Sequence, residues 1–138
     1  MLGKPKAGWS TFRLFDIEAD ASHMVDIPFA WLKACLFAIQ NNVPVALYID
    51  EEGSEVCIHS YYTITYVIVN RDDEVKCHAL EYDFRKLTLD LIEDIKAYFE
   101  EWVRWSPYVT EESELARRRD ELKALLLETE SAIKNKMK

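Results

Sequence analysis

Apolar and polar residues change rhythm several times along the chain, and each rhythm marks an element. Between residues 9 and 16, Phe12 and Leu14 alternate against Thr11 and Arg13, the two-residue period of a half-buried strand. Residues 18–22 are polar and lack a period, so a connection is expected there. Asp26-Ile27-Pro28 supplies a cap followed by proline in a first turn, and nothing breaks the run as far as Gln40, which predicts a helix over 27–40. Beyond its first turn only Lys33 and Gln40 are polar, seven apart on one face. Most of that helix must therefore be covered.

Residues 43–50 set Val43, Val45, Leu47 and Ile49 against Pro44, Ala46 and Tyr48, a strand that turns at 51–54 around Gly53 into a second strand over 55–60. Residues 63–70 and 74–83, separated by Arg71-Asp72-Asp73, predict another hairpin. Turns this short require antiparallel neighbours, since parallel ones need a crossover. From Thr88 the period lengthens to that of a helix, with Leu91, Ile95, Tyr98, Trp102 and Trp105 on one stripe and Ser106-Pro107 as the stop. Thr110 then caps a last helix over 111–138.

The expected fold is a two-layer α+β domain in the order β-α-β-β-β-β-α-α, with a mostly antiparallel sheet of about five strands packed against helices. Residues 1–110 form its core. Residues 111–138 form a long C-terminal helix that packs on this core or pairs with a second subunit. Leu115, Leu122, Leu126 and Ile133 recur along it at near-heptad spacing and are the expected seam of a homodimer.

Composition narrows the chemistry. Among 138 residues there are only 3 glycines and 4 prolines, too few for a phosphate-cradling loop or a dinucleotide fingerprint. The formal charge is −8, and its distribution is uneven: residues 1–110 hold 10 basic and 18 acidic side chains, residues 111–138 seven of each. Such a surface disfavours nucleic acid and anionic lipid. The most apolar window, residues 27–39, contains Lys33 and is too short to span a bilayer, and no apolar secretion segment follows the N-terminus. Cys35, Cys57 and Cys77 are odd in number and lie in apolar or strand-like surroundings, which predicts reduced thiols and a cytoplasmic protein.

Candidate reactive groups are few. Cys57, His59 and Cys77 are the only soft and imidazole ligands that neighbouring strands could bring together, yet alternation sends Cys77 and His78 to opposite faces, so no closed four-ligand metal site is expected. Glu55, Glu74 and Glu81 stand near the two strand cysteines and disfavour a thiolate nucleophile. Asp50 to Glu55 crowds carboxylates around one glycine without the spacing of a calcium loop. No catalytic residue, metal or cofactor is assigned.

What remains favours interaction. The predicted contacts are the acidic hairpin tips at Asp50, Glu51, Glu52, Glu55, Asp72 and Asp73, together with Trp105 and Tyr108 at the end of the aromatic helix. They suggest a non-enzymatic acidic domain that binds a basic protein, as an inhibitor or immunity-type protein does. The alternative is a small-molecule-binding or enzymatic domain with a pocket between helix 27–40 and the sheet, lined by Trp31, Tyr48, Tyr66, Cys57 and His59.

Overall fold

Short turns set the β-structure: two residues in three hairpins and four, residues 51–54, in another. In the computed structural model, which describes residues 1–136, β1 (Trp9–Leu14) and β2 (Ile17–Ser22) pair antiparallel around Phe15 and Asp16. After α1 (Ile27–Asn41), the strands β3 (Val45–Asp50), β4 (Glu55–Tyr61), β5 (Ile64–Arg71) and β6 (Glu74–Leu80) form a four-stranded antiparallel meander in chain order. Asp72 and Asp73 close the last hairpin with φ of 53° and 60°. Positive φ at both central positions gives the twist that matches the flanking strands.

The α+β architecture and the antiparallel pairing stand as expected, but the sheet does not. There are two sheets, of two and four strands, in place of one of about five. Residues 18–22, expected as a connection, belong to β2, where Ile17, Ala19 and Ala21 are buried and Glu18 and Asp20 exposed. The two alanines carry little apolar signal, and the turn before them has no glycine. The strand expected over 74–83 ends at Leu80.

The helix expected from Thr88 begins earlier, because the Asp83 carboxylate accepts the Lys86 amide at 2.6 Å and caps α2 (Phe84–Ala97). It also does not run unbroken to Trp105. Tyr98, with φ −128° and ψ 47°, separates α2 from the short α3 (Phe99–Val103). The last helix, α4 (Glu112–Lys136), packs against α1, α2 and α3 of its own chain, and Leu115, Leu122, Leu126 and Ile133 are all buried there. The seam expected to pair two subunits is thus consumed within one. Met137 and Lys138, included in the expected helix, lie outside the described residues.

One face of the four-stranded sheet meets the helices. Val45, Leu47 and Ile49 of β3, Val56 and Ile58 of β4, and Val67 and Val69 of β5 point inward and are buried with Trp31, Leu32, Leu91, Ile95 and Trp102 in a single core. The β1–β2 hairpin lies beside β3. Arg71 fastens it there, donating to the Glu18 carbonyl at 2.9 Å while gripping Glu51, whose carboxylate accepts the Asp20 amide at 3.2 Å. Among the described residues no helix is long and apolar enough to cross a membrane.

Candidate interaction face

Alternation along four strands sends every second side chain to the side away from the helices. The registers align these outward residues in three rows across the sheet: Ala46–His59–Tyr66–Ala79, Tyr48–Cys57–Ile68–Cys77, and Asp50–Glu55–Asn70–Val75. Nothing among the described residues covers them. Tyr48 is 40 % exposed, Tyr66 46 % and Val75 64 %, so each row of this face presents aromatic or aliphatic surface to solvent.

Its two ends differ in chemistry. At the end where β4 turns into β5, Pro44, His59, Tyr61, Ile64 and Tyr66 line a shallow, mainly apolar depression of about 380 Å³. At the other end the β3–β4 and β5–β6 tips approach one another. Tyr48, Asp50, Glu55, Asn70, Asp72 and Asp73 line a polar depression of about 520 Å³. Tyr48 belongs to both worlds, its ring on the apolar row and its hydroxyl donated to the Glu55 carboxylate. From the Tyr66 row to the Asn70 row is four residues of strand, about 13 Å at the usual rise.

The predicted contacts divide accordingly. Asp50, Glu55, Asp72 and Asp73 are brought together, with Glu52 exposed beside them at the β3–β4 tip. Asp50 also accepts the Glu52 amide at 2.7 Å and so orders that tip. Glu51 is not a free contact: its side chain is only 9 % exposed and is held by Arg71 through Nε at 2.8 Å and Nη2 at 2.7 Å. Burial opposes its ionisation, but the hydrogen bonds from Arg71, Ser54 and the Asp20 amide prevail and hold the carboxyl below the usual carboxylate range. Trp105, predicted as a surface anchor, is buried, and its indole donates to the Val25 carbonyl at 2.8 Å. Tyr108 is 81 % exposed and packs edge-on to His23, away from the acidic tips in sequence and element.

Among the described residues the expected lining of a pocket between helix 27–40 and the sheet does not come together. Trp31 fills that interface, its Nε1 bonded to the Tyr48 carbonyl at 3.1 Å, while Tyr48, Cys57, His59 and Tyr66 carry their side chains on the opposite face. Ile68 stands between Cys57 and Cys77 in their shared row, and no group of three metal-ligating side chains converges among the described residues. Burial and the nearby Glu55 raise the Cys57 thiol. Burial, only partly offset by a hydrogen bond with Thr88, pushes the Cys35 thiol in α1 up to about 12, so these two thiols are poor nucleophiles.

Sequence reasoning missed the aromatic half of the face. The signal was present: Tyr48, Tyr66 and Ile68 share one strand parity, but apolar residues on both parities make each side look like core. Compared with family models, with curated proteins and with solved structures, the chain shows no match, so its site stands on geometry alone.

Proposed function

We propose that the protein is a non-enzymatic interaction domain that binds a basic partner protein on the open face of its four-stranded sheet. The observation that carries this reading is the polarity of the face: an apolar, tyrosine-lined depression at one end and four converging carboxylates at the other. A complementary partner presents an apolar or aromatic anchor about 13 Å from a cluster of Lys or Arg. The anchor excludes water beside Tyr66, where tyrosine gives large contact area at small entropic cost. The carboxylates steer approach and set orientation, and their contribution falls with salt.

Support also comes from the turn at Asp72 and Asp73. Both hold left-handed backbone where Asn-Gly is the preferred pair, so the fold keeps two carboxylates at a position that local stability would assign otherwise. An inhibitor or immunity-type role fits such a surface.

The test is site-specific photocrosslinking in the source cells, with the photoreactive residue at position 66 and, as a control, at Lys123 on the solvent side of α4. One discrete adduct from position 66, reduced at least fivefold by D72K/D73K and by raised salt, is expected. No adduct at 66, or the same adduct from 123, overturns the assignment of this face.

A further inference from the structure

A separate concavity lies at the end of the fold where α1 stops, independent of the interaction face apart from sharing Tyr61. Ala38 and Val43 form one wall, Tyr61 and Tyr62 a second, and Phe84 and Ile133 close it, enclosing about 200 Å³. The surfaces inside are almost wholly apolar. An apolar cavity of about 150 Å³ is enough to hold benzene, so a phenyl-sized group fits here.

The mouth has the opposite character. Arg85 and Lys136 both line it, although the chain as a whole carries a charge of −8. Each is positioned by a main-chain acceptor: Arg85 Nη1 donates to the Ile133 carbonyl at 3.1 Å, and Lys136 Nζ to the Ile39 carbonyl at 3.1 Å and to Asn42 Oδ1 at 3.3 Å. Among the described residues neither cation is in an ion pair, unlike Arg71, Lys96, Arg118 and Arg119. Among the described lining residues Asp83 is the one carboxylate, and its Oδ1 accepts the Lys86 amide as the cap of α2. The walls are fixed as well. The Tyr61 and Tyr62 rings pack against each other at a tilt of 60° with centres 4.3 Å apart, and the Tyr62 carbonyl accepts the Phe84 amide at 2.7 Å.

We propose that this pocket binds a small monocarboxylate with an aromatic or similarly compact apolar group, the apolar part between Ala38, Val43 and Ile133 and the carboxylate held by Arg85 and Lys136. An apolar cavity rewards burial of the ring, and two cations with spare donors give orientation and selectivity for the anion. A neutral isostere keeps the first contribution and loses the second. A cationic one meets like charge.

The experiment titrates the full chain with phenylacetate, 2-phenylethanol and phenethylamine, followed by amide chemical shifts. Phenylacetate is expected to saturate with Kd near about 1 mM, as suits a ligand of this size. The shifts should centre on Ala38, Tyr62 and Ile133, and the two controls should bind at least tenfold more weakly. K136Q, at an exposed helix end, should weaken phenylacetate by threefold or more and leave 2-phenylethanol unchanged. V43W, which fills the half-exposed rim, should abolish binding of both. Equal affinity for the three probes, shifts centred elsewhere, or no saturation by about 10 mM overturns the proposal.

Discussion

The middle rows on the two faces of the four-stranded sheet are both uncharged, and they meet different fates. Inward, Leu47, Ile58 and Val67 lie in one row and are fully buried beneath α1 and α2; outward, Tyr48, Cys57 and Ile68 lie in the adjacent row with no helix above them. Composition does not separate the rows. What separates them is which side the helices occupy, and that follows from the connections: α1 enters before β3 and α2 leaves after β6, and α4 then packs on both. An apolar outer row that no element among the described residues covers is surface available to another molecule.

Truncation on the two faces should therefore differ sharply. Leu47→Ala removes a fully buried side chain and is expected to cost about 3 kcal/mol from lost transfer and a residual cavity. Tyr66→Ala, on the other face of the same sheet, should cost less than about 1 kcal/mol. Urea unfolding of both variants measures the gap. Similar losses would show that the outer face is covered in solution by something, a second copy being the simplest occupant.

Much of this contrast was legible in sequence, and the remainder was hidden for identifiable reasons. The helix around Phe29 to Ile39, the strands around Leu47, Ile58 and Val67, and their antiparallel order follow from period and turn length, both local quantities. The β2 strand was hidden because Ala19 and Ala21 weigh little as apolar markers, although they alternate correctly with Glu18 and Asp20. The exposure of Tyr66 and the burial of Trp105 are decided by distant packing. Trp105 reaches Val25 across 80 residues of chain. Of the acidic tips, Asp50, Glu55, Asp72 and Asp73 were readable as a group, because hairpin ends of one meander must fall on one edge. That Glu51 turns inward to Arg71, twenty residues away, was not.

Glu51 sharpens the comparison between acids that hold the fold and acids that face solvent. Because its carboxyl is held below the usual range, it adds stability that is present above the unfolded value of about 4.3 and is lost as the pH falls through the folded value. E51Q should lower stability at pH 7 by roughly 1–2 kcal/mol, since charge-assisted bonds to Arg71 and the Asp20 amide are weakened. The variant and the parent should converge only as the pH falls through the folded value, below the usual carboxylate range, where the parent carboxyl is protonated as well. Urea midpoints at pH 7 and at steps down to the lowest pH at which both chains still fold provide the check. A gap that does not narrow anywhere along that series would mean the side chain acts through packing instead of charge.

Asp73 is the opposite case, and its effect is the smallest. With φ 60° it occupies left-handed backbone that glycine adopts without steric cost, and it stands next to a second carboxylate in the same turn. D73G relieves both, while the greater freedom of glycine in the unfolded chain takes back part of the gain. A net stabilisation of about 0.5 kcal/mol is expected, a rise in Tm of roughly 2 °C for a chain of this length. The same substitution removes one of the four carboxylates at the acidic end, so crosslinking from position 66 should weaken while the fold becomes more stable. That opposition distinguishes a residue retained for binding from one retained for structure. A D73G chain that is more stable and crosslinks as well as the parent would leave the aromatic end alone as the contact surface.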